Sequence, residues 1–173
     1  MKGNPHWGFF FGSHHSMSKK FWLMKSEPSE CSVQSVLAMP EHRVDWFGIR
    51  NYQARNFMRD EMNIGDEVLF YHSSCKEPGV AGLARVASEV HPDETQFDPT
   101  SEYYDPKSTR ENPRWVCVDI EVLEECPVLG IAELRQHPEL AEMQILKKGN
   151  RLSITPLTED EYRFIIRLLR KDT

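Results

Sequence analysis

Apolar and polar positions alternate along the chain in short segments that turn-forming residues separate. Strand-like patterns predict β-strands at 21–24, 67–73, 80–90, 115–123 and 152–154. Helical spacing predicts helices at 32–39, 51–62 and 159–170, and two short pieces on either side of Pro138. This mixed order predicts an α+β domain and allows a small barrel.

Local signals add detail to two of these helices and to one loop. Ser29 or Ser32 is expected to cap the first helix, and Thr158 followed by Glu161 forms the capping-box pattern at the start of the last one. The stretch 92–113 is polar, contains prolines and shows no periodicity. Because loops of this length in compact domains are often functional, this one is a candidate part of the site.

Composition is typical of a globular protein. The chain has 173 residues, of which 39% are hydrophobic and 28% charged, and this length fits one domain. No apolar run approaches the roughly 20 residues that a membrane span needs. Residues 1–16 differ in character from the rest and precede a second methionine, so we interpret them as a leader or extension, with a native docking arm as the alternative. The domain is expected at 17–173.

The formal net charge of −6 argues against a protein that binds nucleic acid by bulk electrostatics. Recognition of nucleic acid would have to depend on a shaped pocket and a few well-placed cations. The cysteines, which show no zinc-ligand spacing, are Cys31, Cys75, Cys117 and Cys126. Nucleotide-phosphate and hydrolase motifs are also missing. We therefore expect neither a metal nor a cofactor.

Two tryptophans are each followed by polar residues. Trp22 precedes Lys-Ser-Glu at 25–27, and Trp46 precedes Arg-Asn-Tyr at 50–52. A flat heterocycle needs aromatic faces for stacking and a few polar groups that read its edge. Both tryptophans can instead belong to the core of a small domain. His72, at a predicted strand end, is either a satisfied core histidine or a hydrogen-bonding group of a pocket.

Several cations are candidates for phosphate contact. Arg55 and Arg59 lie four positions apart on a predicted helix and Arg50 precedes it, although an ordinary solvated face explains the same pattern. The complete set is Arg50, Arg55, Arg59, Lys147, Lys148 and Arg151.

Several segments carry a family resemblance. Residues 21–28, 46–56 and 65–82 resemble three signatures of the EVE domain family. Shorter matches, in the same order along the chain, lie at 98–99, 103–108, 113–115 and 152–156. The resemblance spans about residues 21 to 170.

The resemblance implies a PUA-like fold, which is an open β-barrel surrounded by short helices. It also implies kinship with YTH domains, which hold a methylated adenine in an aromatic cage. A further implication is that the protein binds modified bases by extruding the base into a comparable pocket. By position, Lys25 and Ser26 match residues that read the base edge, Trp46 matches a cage tryptophan, and 70–73 match the strand that floors the pocket. The later cage tryptophan of YTH domains has no equivalent, so an open or polar pocket is expected. The residues expected to contact the base are Trp22, Lys25, Ser26, Glu27, Trp46, Gly48, Asn51, Tyr52, Tyr71, His72 and Ser73.

The leading hypothesis is an intracellular, non-enzymatic reader of a modified cytosine or adenine in DNA or RNA, nuclear in a eukaryote and cytoplasmic in a bacterium. One rival is an enzyme acting on a nucleotide, for which His72 with Glu27 or Asp105 is the best available catalytic set. The other rival is a small-molecule or protein sensor that uses the same pocket. The sequence leaves open the identity of the base and the oligomeric state.

Overall fold

A computed structural model of the chain describes residues 18–171. The strands within this range are β1 (Phe21–Ser26), β2 (Arg43–Asp45), β3 (Glu67–His72), β4 (Gly79–Val86), β5 (His91–Pro92), β6 (Val116–Cys117), β7 (Asp119–Gly130) and β8 (Ile154–Leu157). The α-helices are α1 (Val33–Leu37), α2 (Tyr52–Asn56), α3 (Ile131–Leu134) and α4 (Glu159–Lys171). Short 3₁₀ turns lie at Pro40–His42, Glu94–Phe97, Pro138–Leu140 and Gln144–Leu146.

Six strands form one mixed sheet in the order β2-β7-β4-β3-β1-β8, and β5 pairs with β6 separately. Strands β1 and β3 are parallel, whereas the other pairs are antiparallel. Within the described residues β2 and β8 are the two edges of the large sheet, so the sheet is not closed into a barrel. The predicted open α+β architecture is confirmed.

Both faces of the sheet are covered, and this explains why β1 is almost continuously apolar. Phe21 and Leu23 belong to one buried cluster, whereas Trp22 and Met24 belong to another. Because successive side chains of a strand point to opposite faces, these two clusters lie on the two sides of the sheet. Helix α4 covers the first face, and Ile165 is fully buried there.

The predicted helix starts are confirmed by their caps. The Ser32 hydroxyl accepts from Ser35 N–H at the start of α1, and the Ser35 hydroxyl accepts from Ser32 N–H. Thr158 and Glu161 form the same reciprocal pair at the start of α4. Asn51 caps α2, which continues through Phe57–Glu61 as a π-helical turn.

Some predicted boundaries are wrong. The strand expected at 115–123 is two strands, and β7 continues to Gly130 because it pairs along the whole of β4. The strand expected at 152–154 is β8 at Ile154–Leu157, whose edge position tolerates Pro156. The predicted leader, residues 1–16, lies outside the described residues. No helix in the described part of the chain combines the length and apolar character needed to cross a membrane.

Candidate functional site

A cavity of about 320 Å³ opens at the carboxyl end of β1. Its volume lies in the range of small-molecule sites, roughly 300–1,000 Å³. We call it the tryptophan cavity. Its lining residues are Lys25, Ser26, Glu27, Glu30, Cys31, Met39, Val44, Asp45, Trp46, Phe47, Gly48, Ile49, Ser73, Tyr103 and Ser153. The structure therefore brings six of the predicted base-contacting residues together, namely Lys25, Ser26, Glu27, Trp46, Gly48 and Ser73.

Strand pairing sets this arrangement. Ser26 is aligned with His72 in the parallel β1–β3 pair, and Ser73 N–H donates to the Ser26 carbonyl at 3.0 Å. Trp46 follows β2, and its backbone N–H donates to the Val118 carbonyl at 2.9 Å. The segment that carries the indole is thus fixed to the sheet, on one side of the cavity.

Trp46 belongs to the core and also lines the cavity. Its side chain packs edge-to-face against Phe70, with ring centroids 5.3 Å apart, and the residue is 6% exposed. Among the described residues its indole N–H has no hydrogen-bond acceptor. The two interpretations of this tryptophan are therefore compatible, because one part of the ring is packed while another borders the cavity.

Lys25 and Ser26 supply polar groups to the same cavity. The Ser26 hydroxyl donates to the Cys31 carbonyl at 2.8 Å, so its oxygen remains available as an acceptor. Lys25 is partly buried, and this burial lowers its pKa. No carboxylate of the described residues lies within ion-pair distance of its ammonium group. The cavity thus offers one cationic donor and one hydroxyl acceptor.

The sequence reasoning missed Tyr103, which closes one side of the cavity. Its hydroxyl donates to the Glu30 carboxylate at 3.3 Å, and Glu30 lies on the connection between β1 and α1. Burial and the nearby carboxylates of Glu102 and Glu30 raise the pKa of Tyr103 to about 12. The signals available in the sequence were the long loop and the Tyr-Tyr-Asp-Pro-Lys-Ser run at 103–108.

Gly48 is required by the close approach of Tyr103. A Cβ atom at this glycine would lie 2.9 Å from Cζ of Tyr103, closer than packed atoms come. Its φ of +88° also lies in the region that disfavours L-residues with side chains. The glycine therefore allows the tyrosine ring to form part of the cavity wall.

Arg50, which was predicted as a phosphate contact, is engaged within the chain. Its guanidinium donates to the Tyr103 carbonyl at 2.7 Å, to Asp93 at 3.0 Å and also to Ile49 O and Thr95 Oγ1. With Nε also bonded to the Tyr103 carbonyl, every nitrogen of the guanidinium is engaged. Arg50 instead fixes the loop that carries Tyr103.

Asp93 is the buried partner of this arginine. Its side chain is 0% exposed and accepts from Gly48 N–H at 2.7 Å. Burial opposes its ionisation, but hydrogen bonds from Thr95, Gly48 and Arg50 outweigh this and hold its pKa below the ordinary value. One carboxylate thereby ties the loop at 93–115 to the segment that contains Trp46 and Gly48.

Trp22 does not line the cavity. It is 1% exposed, and its indole N–H donates to the Asp66 carboxylate at 3.0 Å. It lies at the other end of β1 from Ser26, and four residues of strand span about 13 Å. The core interpretation is correct for this tryptophan.

His72 and Tyr71 also lie away from the tryptophan cavity. Val33 N–H donates to Nε2 of His72 at 3.2 Å, so this ring nitrogen has a partner in the core, and burial lowers the pKa of the histidine. Tyr71 points to the opposite face of the sheet. The proposed catalytic set is not assembled, because His72 is outside the cavity and the Asp105 carboxylate accepts from the Trp115 indole at 2.8 Å.

Asn51 and Tyr52 have roles in or beside α2 rather than in the cavity. The Asn51 side chain caps the helix by accepting from Ala54 N–H at 2.9 Å. The Tyr52 ring stacks on Trp115, with centroids 4.9 Å apart and an interplanar angle of 20°. Neither residue lines the tryptophan cavity.

The other predicted phosphate contacts differ in their surroundings. Arg55 donates to the Arg114 carbonyl at 2.9 Å, and Arg59 pairs with Asp60 at 2.9 Å, so both are engaged within the chain. Lys147 and Lys148 line a second cavity, of about 480 Å³, and Arg151 is exposed but lines neither cavity. We call the second one the basic cavity. Its lining residues are Lys25, Tyr71, Ser73, Ser74, Pro78, Ile131, Arg135, Ile145, Lys147, Lys148, Gly149 and Asn150.

Known proteins share this fold and much of this sequence. Human thymocyte nuclear protein 1 is 39% identical over 168 residues, which cover 87% of this chain and 74% of that protein. The crystal structure of a Pseudomonas putida protein is 44% identical, has a TM-score of 0.81, and the match covers 86% of this chain and 98% of that one. A crystal structure of human THYN1 protein in complex with DNA containing 5-methylcytosine is 39% identical with a TM-score of 0.83, covering 90% of this chain and 100% of that one.

The family assignment rests on the length of the match as well as on identity. The model of the EVE domain family matches residues 20–168, which include the eight strands of the described residues and most of α4. Both cavities lie within this matched range. The chain belongs to the EVE domain family.

Proposed function

We propose that this protein binds nucleic acid that carries a modified base, and that the base is extruded from its strand into the tryptophan cavity. The observation that carries the proposal is that Trp46, Lys25 and Ser26 line one cavity at the end of β1. Extruding a base costs a few kcal/mol, which contacts inside the cavity must offset. Stacking on an aromatic side chain contributes about 1–3 kcal/mol per base.

The polar groups of the cavity match a cytosine edge. Cytosine presents an amino donor beside two acceptors, a ring nitrogen and a carbonyl oxygen. The Ser26 hydroxyl oxygen can accept from the amino group, while the Lys25 ammonium can donate to an acceptor. A methyl group on the cytosine ring can contact the apolar residues of the wall, which include Met39, Val44 and Ile49.

The proposed ligand is 5-methylcytosine in DNA. A family relative, human THYN1 protein, has been crystallised with DNA that contains this base. The cavity differs from a cage closed by several tryptophans, because Trp46 is its single indole among the described residues. We propose that the protein acts by binding rather than by catalysis. The name of the human relative supports an intracellular location, nuclear if the chain is eukaryotic.

The test is a titration of two DNA oligonucleotides that differ by one 5-methyl group. The protein is expected to bind the modified strand more tightly, and Trp46→Ala is expected to weaken that binding about tenfold or more, because it removes the stacking face. Trp46→Phe keeps an aromatic face and should retain most of the affinity.

Folding and binding must be separated in this test, since Trp46 also packs on Phe70. Thermal unfolding of each variant shows whether the protein is folded at the titration temperature. Equal affinity for the modified and unmodified strands would contradict the proposal. The proposal would also be contradicted if the Trp46→Ala variant is folded and binds the modified strand as tightly as the wild-type protein does. A thermal shift with an unrelated ring compound but none with nucleosides would favour the sensor hypothesis instead.

A further inference from the structure

The basic cavity adjoins the tryptophan cavity and differs from it in charge. The two cavities share Lys25 and Ser73 in their walls. Four cationic side chains line the basic cavity, and they are Lys25, Arg135, Lys147 and Lys148. None of the residues that line it is acidic, although the chain as a whole has a formal net charge of −6. The cavity is therefore a local exception to the acidic character of the protein.

Three of these four cations have no ion-pair partner in the described part of the chain. Lys147 pairs with Glu142 at 3.0 Å, but no such pair exists for Lys25, Arg135 or Lys148. Cations without partners are common on an open surface. Lys25 differs because it is partly buried in the shared wall, where burial makes the charged form less favourable and lowers its pKa. An anion in the basic cavity would offset that cost.

One neutral donor of a residue that lines the same cavity also lacks an acceptor. The amide nitrogen of Asn150 is shielded from solvent and has no hydrogen-bond partner within residues 18–171. The lining also includes three residues that carry hydroxyl groups, Tyr71, Ser73 and Ser74. Buried polar groups are usually hydrogen-bonded, so an acceptor placed in this cavity, beside the unpaired cations, would satisfy the amide. A phosphate provides negative charge and several acceptor oxygens at once.

From these contacts we infer that the basic cavity holds a backbone phosphate next to the nucleotide whose base occupies the tryptophan cavity. The inference rests on the proposed function, and it assigns the phosphate contact to Arg135 and Lys148, with Lys25 in the wall that the two cavities share. The shared wall is what makes one nucleotide span both cavities, because a base and its phosphate are joined through a single sugar. Lys148 is one of the predicted phosphate contacts, Lys147 lines the same cavity but is paired with Glu142, and Arg135 is new in this role.

The test compares the double variant Arg135→Ala/Lys148→Ala with the charge-matched control Arg167→Ala/Lys107→Ala. All four side chains are exposed, and the control pair lines neither cavity. The double variant should bind the 5-methylcytosine oligonucleotide and its unmodified twin about tenfold more weakly, with their affinity ratio unchanged. Each lost phosphate contact should also reduce the slope of log K against log salt by about 0.7–0.9.

Binding of small ligands tests whether the basic cavity holds the phosphate. The wild-type protein should bind a monophosphate of 5-methyldeoxycytidine, either 5′ or 3′, more tightly than the free nucleoside, and the double variant should lose this difference. Inorganic phosphate should bind more weakly than the monophosphate, whereas equal binding would indicate a site for free phosphate and overturn the inference. An unchanged salt slope in the double variant, or an equal loss in the control, would also overturn it. Loss of the preference for the modified strand concerns the base alone and would contradict only the proposed function.

Discussion

The two cavities lie side by side, yet their polar groups are organised in opposite ways. Around the tryptophan cavity, Arg50, Asp93 and Tyr103 form a network in which the arginine donates to partners within the chain. In the basic cavity, Arg135 and Lys148 have no ion-pair partner among the described residues. Satisfied groups fix the shape of a wall, whereas unpaired groups remain available to a ligand.

This difference suits two kinds of recognition. Discrimination between a base and its methylated form requires a wall that does not move, because a single methyl group changes the binding free energy only slightly. Contact with a phosphate requires charge rather than shape and carries no sequence information by itself. The comparison therefore predicts that substitutions around the first cavity change stability and selectivity, and that substitutions in the second change affinity alone.

Asp93→Asn should produce the largest effect. The substitution removes the charge that Arg50 faces in a buried site, and breaking a buried ion pair typically costs about 3–5 kcal/mol. We expect urea denaturation to show a loss of about 3 kcal/mol in the free energy of unfolding. Asp98→Asn, at an exposed aspartate on the same loop, is the control. A loss for Asp93→Asn no larger than that of the control would contradict the role given to this network.

The same carboxylate predicts a pH dependence of stability. Because the pKa of Asp93 is lower in the folded state, its contribution is fully present above the unfolded value, about 3.9, and disappears as pH falls through the folded pKa. Wild-type protein should therefore lose stability relative to Asp93→Asn between about pH 4 and the folded pKa. A constant difference across that interval, measured by denaturation at each pH, would contradict the prediction.

Gly48→Ala should have an intermediate effect. The positive φ alone costs an L-residue about 1–2 kcal/mol, and the new Cβ would also displace the Tyr103 ring. Gly65→Ala is a matched control, because its φ is +96° and no atom lies within 4 Å of the added Cβ. Both variants should lose stability, but only Gly48→Ala should weaken binding of the modified oligonucleotide. Equal binding by the two variants would show that Tyr103 does not form the binding wall.

Tyr103→Phe should have the smallest effect. It removes one long hydrogen bond to Glu30 and leaves the ring in place, so the expected loss of stability is about 0.5 kcal/mol. Binding of the modified base should change less than threefold, and Tyr104→Phe, at an exposed neighbour, should change neither quantity. A large loss of binding for Tyr103→Phe would mean that the hydroxyl itself contacts the ligand.

The fold was largely predictable, because its signals are local. The Ser32 and Thr158 caps, the short apolar run of β1 and the alternation in β4 each depend on a few neighbouring residues. The end of β7 was not predictable in this way, since its length depends on pairing with β4, which is distant in sequence. The start of β8 was misplaced for a similar reason: its partner is β1.

The site was predictable in part. Lys25, Ser26 and Trp46 were recognised as belonging together from their resemblance to family motifs, and the structure places them around one cavity. Trp22 is a tryptophan with polar residues after it, as Trp46 is, so the sequence does not distinguish the two. The direction of the Trp22 side chain and its hydrogen bond to Asp66 assign it to the core. Tyr103 was missed because its position depends on Arg50, which is far away in sequence.

The sequence by itself determined the family, the order of the elements and the segments that carry the site, because short-range patterns and ordered motifs are properties of the chain. The tertiary structure alone decided which cations are engaged. Arg50 and Lys148 look alike in a sequence, but one is paired with a buried aspartate and the other lines an open cavity without a carboxylate. The free energy of a charge depends on its solvation and on its neighbours in space, and neither can be read from its neighbours along the chain.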